Sequence, residues 1–363
     1  MSLAGFVRVA AVAMSATLAA CGGGSTSGGA GPNAGSPQAA QAAPRPGDVV
    51  TEEFTLSAKD DGISLYLRNK HTADYYSAKP QQTVLFIHGA TFPGSATFDL
   101  PLDGTSWMDW MAKRGYDVYA LDIRGYGKST RPPAMGQPAE ANPPAVDGAT
   151  ALRDVSKAVD FILSRRSLDR LVLVGWSWGA TLAGSYAAQT SARIEKLVLY
   201  APQWTSDNKP TEAAPKLGAW REVPINSIRE RWTRDVPNKE RAELIPTAAA
   251  DAFLTALKAT DPEGAKHTPP VLRVPTGAVA DWLATWGAGK PYWRPDRISA
   301  PTLVIQGEWD VETPPDQGLS VFAALTGAPN RRYVLIGEAT HTLLFEKNRQ
   351  QLYRAVQGFL EEK

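Results

Sequence analysis

The chain has one cysteine, Cys21, and four histidines in 363 residues. A single cysteine excludes an internal disulfide, a cysteine-based metal site and a CxxC redox pair. The histidines and carboxylates show no cluster with metal-ligand spacing, so neither a metal nor a cofactor is expected. An excess of one charge sign is also missing. The formal net charge is +1, which offers no basic field to nucleic acid or to an anionic membrane surface. What remains is ordinary for a globular chain, with 43% hydrophobic and 21% charged residues. The length is enough for one large α/β domain carrying an insertion.

The lone cysteine has a telling neighbourhood. Residues 1–20 carry Arg8 and the apolar run VAAVAMSATLAA, which is too short to span a bilayer. A basic start, a short apolar stretch and small residues before a cleavage point describe an export signal. Leu18-Ala19-Ala20-Cys21 resembles the bacterial lipobox, and that resemblance implies cleavage before Cys21 and lipid attachment to it. The expectation is an exported lipoprotein, membrane-anchored and facing the periplasm or cell exterior. Residues 21–48 are rich in Gly, Ser, Ala and Pro, cannot bury a core and should form a flexible spacer. Folding is expected to begin near Val49.

From there the chain alternates strand and helix patterns. TEEFTLSA (51–58) and ISLYLRN (63–69) alternate apolar and polar residues, as a half-exposed antiparallel pair does. TVLFIHG (83–89), DVYALD (117–122), RLVLVGW (170–176), KLVLYAP (196–202), PTLVIQG (301–307) and RRYVLIG (331–337) are apolar runs that suit buried strands. Helices are expected over 106–115, closed by Gly115, over 148–164, after Gly179, from about Pro315 and from about Glu346. Repeated strand–helix units imply a mostly parallel sheet, eight-stranded, with helices on both faces. Residues 203–297 break the alternation with Pro, Trp, Arg and short helical pieces. They are expected to form a helical cap inserted between the core segments 49–202 and 298–363, over the sheet edge where α/β folds bind ligands.

Gly175-Trp176-Ser177-Trp178-Gly179 is a G-x-S-x-G pattern set between the strand LVLV and the small-residue segment ATLAGSYAA. That setting puts a serine on a strained strand-to-helix turn, where glycines permit close backbone approach. The helix N-terminus behind it favours developing negative charge. Ser177 is therefore the candidate nucleophile. Of the histidines, His71 falls in an early polar loop, His88 beside Gly89 suits a turn-stabilising role, and His267 lies in the proposed cap. His341, in GEATH after the last strand, follows Ser177 in the chain order Ser…Asp/Glu…His and is the candidate base. Asp310, in QGEWD after PTLVI, is the candidate orienting carboxylate, with Glu308 and Asp316 as alternatives. Oxyanion donors are expected from the backbone N–H of Trp178 and of Ala90 in HGATFPG, with Thr91 next.

HGATFPG, LDIRGYGKS, GWSWGATLAGSYA, LVLYAP, IQGEWD and GEATH occur in the order used by the α/β-hydrolase superfamily, which this chain resembles from about residue 83 to 361 apart from the proposed cap. GWSWGATLA and DIRGYGKST also look like the corresponding segments of proline iminopeptidases. The loop HGATFPG departs from their HGGPG-like loop. Those enzymes hold the substrate amine with cap carboxylates, for which this cap offers Glu212, Glu222, Glu230, Asp235, Glu240 and Asp251. Asp122 and Arg124 suit a structural turn.

Trp204, Trp220, Trp232, Trp282, Trp286 and Trp293 concentrate in the proposed cap, as core filler or as an apolar pocket wall. Trp178, Trp176, Thr91 and Phe92 are placed at the substrate pocket by their proximity to Ser177. Arg221, Arg229, Arg231 and Arg234 are either solvated or able to attract a carboxylate-bearing substrate. The leading expectation is a cofactor-free hydrolase of small carboxylic esters. Prolyl amide hydrolysis is the first alternative, and a non-catalytic binding lipoprotein the second.

Overall fold

The computed structural model describes residues 44–205 and 216–362. The leader, Cys21, the spacer up to residue 43 and Glu212 lie outside the described residues. Strands β1 (Val49–Ser57) and β2 (Ser64–Thr72) pair antiparallel, with Phe54 opposite Leu67. Phe54 and Leu56 are buried while their neighbours are not, as period-2 alternation requires. β3 (Thr83–Ile87) follows, buried at every position. Helix α1 (Gly94–Phe98) and helix α2 (Trp107–Ala112) lead to β4 (Asp117–Asp122). α2 opens with a capping box, Ser106 Oγ accepting from the Asp109 N–H while the Asp109 carboxylate accepts from the Ser106 N–H. Helix α3 (Gly148–Arg166), capped by the Asp147 side chain, leads into β5 (Leu171–Trp176), α4 (Trp178–Thr190) and β6 (Ile194–Tyr200).

The next stretch holds β7 (Trp220–Pro224), α5 (Ile228–Thr233), α6 (Asn238–Leu244), α7 (Thr247–Thr260), β8 (Val271–Pro275) and α8 (Gly277–Ala284). β9 (Thr302–Gly307), α9 (Pro315–Ala324), β10 (Arg331–Ile336) and α10 (Arg349–Glu361) complete the chain. Two features depart from expectation. α1 is a short turn of helix hidden in a loop, and residues 203–297 are not purely helical. β7 and β8 pair antiparallel as a separate two-stranded sheet. Each is a five-residue strand whose partner is distant in sequence, so local periodicity carries no sign of the pairing.

The main sheet has eight strands in the order β1-β2-β4-β3-β5-β6-β9-β10, parallel from β4 to β10. The chain leaves β3 to one side, to β4, and returns on the other side, to β5. That reversal is the topological switch point where a crevice opens beyond the carboxyl ends of the strands. The loop after β3 and the turn after β5 meet there.

Candidate active site

Ser177 joins β5 to α4 with φ 59° and ψ −124°, a backbone conformation that costs an L-residue energy and is held by its surroundings. Its N–H donates to the Tyr200 carbonyl at 2.9 Å. The hydroxyl caps no helix N–H and is left for the cavity that Ser177 lines. The flanking glycines are demanded by space. A Cβ on Gly175 would lie 2.2 Å from the Gly179 carbonyl oxygen, and one on Gly179 would lie 2.2 Å from that of Ile87. Gly175→Ala should therefore destabilise the fold by about 3 kcal/mol or more, because the obstruction is backbone. A denaturant midpoint equal to wild type would contradict this packing.

His341 and Asp310 meet although they follow different strands. His341 Nδ1 lies 2.8 Å from Asp310 Oδ2, and both side chains are buried. Asp310 is itself held by the Thr313 N–H (2.8 Å) and the Glu312 N–H (3.0 Å) on Oδ1, and by the Thr313 hydroxyl (2.8 Å) on Oδ2. The His341 carbonyl accepts from the Trp176 indole N–H at 3.0 Å and from the Tyr200 hydroxyl at 2.9 Å. Glu346 is buried and accepts from the Thr340 N–H at 3.1 Å and the Thr342 hydroxyl at 3.4 Å, on either side of His341. Burial pushes the Glu346 carboxyl up to about 7 despite those donors. Burial also opposes charging His341, but the adjacent Asp310 and nearby Glu312 outweigh it and raise its pKa above 6.5. With Nδ1 engaged by Asp310, Nε2 is the ring nitrogen available as a base.

The loop after β3 closes against the serine. A Cβ on Gly89 would lie 3.1 Å from Ser177 Cβ. His88 is fully buried, its Nδ1–H donating to the Gly89 carbonyl (2.7 Å) and its Nε2 accepting from the Ile123 N–H (3.1 Å). Burial lowers its pKa to about 4. It is a neutral strut. The Tyr126 hydroxyl holds the Ala90 carbonyl at 3.0 Å. Among the described residues, neither the Ala90 N–H nor the Trp178 N–H donates to a protein acceptor. The latter is expected at the first position of a helix.

Ser177 and His341 line one cavity of about 480 Å³, together with Ala90, Thr91, Phe92 and Trp176. Segment 203–297 supplies Gln203, Arg221, Arg231, Trp232, Ala278, Val279 and Trp282 to its wall. The expected pocket role of Trp178 is corrected. Its ring is completely buried and does not line the cavity, since it starts α4 and packs into the interior. Trp204, Trp286 and Trp293 are likewise core, and the Trp220 indole donates to the Gln137 carbonyl at 2.9 Å. Only Trp232 and Trp282 of the six serve the cavity wall.

The alternatives fall elsewhere. Glu308 accepts from the Glu338 N–H at 3.0 Å, Asp316 starts α9, and His267 pairs with Glu222 at 3.4 Å. His71 is not in a loop as expected: the pairing of β2 with β1 runs on to Thr72 and puts His71 on β2, beside Glu52. Asp122 accepts from the Ser95 N–H at 2.9 Å and the Lys128 N–H at 3.0 Å, and Arg124 Nε donates to buried Asp154 at 2.9 Å. Both are structural. Among the described residues no group of three His, Cys, Asp or Glu could hold a metal ion, and no helix is long and apolar enough to cross a membrane.

A family model described as "alpha/beta hydrolase fold" matches residues 82–348. The chain belongs to the α/β-hydrolase fold family. It is 34% identical over 100 residues to abhydrolase domain-containing protein abhd-5.2 of Caenorhabditis elegans, covering 28% of this chain and 20% of that protein. It is 29% identical over 167 residues to the probable lysophospholipase BODYGUARD 1 of Arabidopsis thaliana, covering 46% and 32% of the two. The chain thus spans at most a third of these relatives. Among solved α/β-hydrolase structures, the enol-lactonase of Burkholderia xenovorans LB400 superposes with a TM-score of 0.55 at 17% identity, over 85% of this chain and 100% of that one. At that identity the likeness concerns the fold.

Proposed function

We propose that the chain is a serine hydrolase that cleaves small carboxylic esters through an acyl-enzyme on Ser177. The observation that carries this reading is a serine in a strained turn, its hydroxyl uncommitted to capping. It shares a cavity with a histidine whose Nδ1 is bound to a buried, triply held aspartate. In the proposed cycle His341 Nε2 takes the proton from Ser177 Oγ as the oxygen attacks the ester carbonyl. Asp310 keeps the imidazole in the Nδ1–H tautomer and stabilises the imidazolium. The Ala90 and Trp178 N–H groups donate to the tetrahedral oxyanion. On collapse the C–O bond breaks and His341 returns the proton to the departing alkoxide. Water, deprotonated by His341, then hydrolyses the acyl-enzyme by the same route and frees Ser177.

Ester rather than prolyl amide chemistry is favoured by the cavity wall. Among the described residues none of Glu222, Glu230, Asp235, Glu240 and Asp251 lines it, and the one carboxylate that does, Glu312, is paired with Arg231 at 2.9 Å. Among the described residues, then, no carboxylate on it is left to hold a substrate amine. Soluble protein from Pro46 onward should hydrolyse 4-nitrophenyl butyrate and leave proline 4-nitroanilide untouched; preferential prolyl release would sink the ester reading.

The pH profile should follow His341. The base must be neutral, so kcat/KM falls as pH drops through a pKa that lies above 6.5 in the folded protein. Glu312 raises that pKa and Arg231 lowers it. Glu312→Gln should therefore move the acidic limb to lower pH, and an upward movement would contradict the electrostatics.

The proposal includes export and a lipid on Cys21, supported by the leader pattern and the spacer composition. Full-length chain expressed in a bacterium with radiolabelled palmitate should carry label in the membrane fraction. Cys21→Ser should be unlabelled and released from the membrane. Equal membrane retention of both would remove the lipid anchor.

A further inference from the structure

The cavity wall carries two arginines and one glutamate, and the arginines differ in their commitments. Arg231 is spent on Glu312, with Nε on Oε1 at 2.9 Å and Nη2 on Oε2 at 2.5 Å, so both carboxylate oxygens are occupied. Elsewhere in the segment Arg234 faces Asp235 at 3.3 Å and Arg229 donates to the Ile245 carbonyl at 3.0 Å. Arg221 is placed otherwise. On β7 the alternation sends Glu222 outward to His267 while Arg221 lines the cavity and Val223 is buried. Pairing of Arg221 with Val274 on β8 fixes that register.

In the cavity Arg221 makes one long contact, Nη2 to the Thr91 hydroxyl at 3.4 Å. Its Nε is buried without a hydrogen-bond partner. Among the described residues it forms no ion pair. A guanidinium stays charged at any relevant pH, and removing it from water without a partner is costly. Desolvation accordingly pulls its pKa down, in the direction opposite to that of the paired Arg231. Buried donors of this kind are ordinarily satisfied, and the guanidinium that carries this one lines the substrate cavity with a single long contact to the protein, so an acceptor from outside has a place there. The rigid fork of a guanidinium matches the two oxygens of a carboxylate. The Thr91 contact ties it to the loop bearing Ala90, beside the position of the carbonyl oxygen in the proposed mechanism.

We propose that the substrate is an ester bearing a carboxylate, and that Arg221 binds that carboxylate. This rests on the serine-hydrolase reading above. The remaining wall, with Phe92, Trp232, Val279 and Trp282, accepts a short apolar portion. A cavity of about 480 Å³ suits a compact molecule.

Three esters test this with soluble wild-type and Arg221→Gln protein. 4-Nitrophenyl butyrate is neutral, mono-(4-nitrophenyl) glutarate has its carboxylate in the acyl half, and 4-carboxyphenyl butyrate has it in the leaving half. Wild type should prefer one of the two anionic esters over the neutral one by roughly 10- to 100-fold in kcat/KM, the range for a charged hydrogen bond. That choice reports which half carries the charge. Arg221→Gln should collapse the ratio, with the loss in KM rather than kcat, and Arg221→Lys should restore part of it. No anionic preference in wild type, or one that survives Arg221→Gln, overturns the proposal. Calorimetry with glutarate reads the same site without turnover: wild type should bind and Arg221→Gln should not. If fluorophosphonate fails to label Ser177 while glutarate binding still depends on Arg221, the hydrolase reading fails and the anion site stands.

Discussion

Ser177→Ala should lower ester turnover by at least a thousandfold, toward the roughly 10⁶-fold loss that follows removal of a triad nucleophile, and should do so without unfolding the protein. Both halves of this result are required. The turnover loss follows because the acyl-enzyme of the proposed cycle forms on Ser177 Oγ, and the proposed oxyanion donors alone provide only residual catalysis. The retained fold follows from local geometry. The Ser177 hydroxyl makes no capping bond to α4, and the turn is held by the Ser177 N–H on the Tyr200 carbonyl and by the close packing of Gly175 and Gly179. Alanine keeps all of these. Thermal denaturation should give a Tm at or slightly above wild type, since strained sites of this kind are commonly maintained at some expense of stability. A mutant that keeps wild-type turnover refutes the nucleophile. One that loses activity only by unfolding leaves Ser177 a structural residue.

Asp310→Asn should be nearly as damaging to kcat, by roughly 10⁴-fold. The asparagine carbonyl can still accept from the Glu312 and Thr313 N–H groups that now bond Asp310 Oδ1. The loop after β9 should therefore keep its shape. What changes is the group presented to His341 Nδ1, which becomes an N–H₂ donor in place of a carboxylate oxygen. The imidazole is then driven to the tautomer with its proton on Nε2, facing the serine, where it cannot act as a base. Loss of the carboxylate also removes a principal influence raising the His341 pKa, so residual activity should show an acidic limb at lower pH. Activity within tenfold of wild type in Asp310→Asn, with unchanged Tm, would show that Asp310 does not orient the base.

Much of this arrangement was legible in the sequence because the family's functional groups sit at strand ends. An apolar run followed by G-x-S-x-G marks the turn after β5, and the segments following β9 and β10 bring Asp310 and His341 to the same sheet edge. Position after the last expected strand, against a polar stretch of the proposed cap, separated His341 from His267. It could not decide between Asp310 and Glu308, only two residues apart, since the choice depends on which carboxylate turns toward His341. The structure puts Asp310 there and Glu308 on the Glu338 backbone. Thr313, Tyr200 and Glu346 support the histidine through contacts between distant segments, and the sequence carries no signal of them beyond their polarity in apolar surroundings. Trp176 was placed at the pocket, but its indole bond to the His341 carbonyl is legible only in three dimensions.

The segment between β6 and β9 was the least legible part. Its tryptophans and arginines look alike in sequence, and their roles separate only when each partner is known. Trp204, Trp286 and Trp293 pack inward while Trp232 and Trp282 face the cavity. Arg231 has Glu312, and Arg221 has no carboxylate among the described residues. The pairing of β7 with β8 sets that difference, and it joins two five-residue strands whose local patterns do not announce each other.

The most direct measurement is mass spectrometry of folded soluble protein treated with a fluorophosphonate, followed by peptide mapping. One stoichiometric adduct on the peptide containing Ser177, lost in Ser177→Ala and strongly slowed in His341→Gln, is the expected result. Folded protein that stays unmodified, or an adduct mapping to another serine, would contradict the assignment and leave a hydrolase fold used for binding.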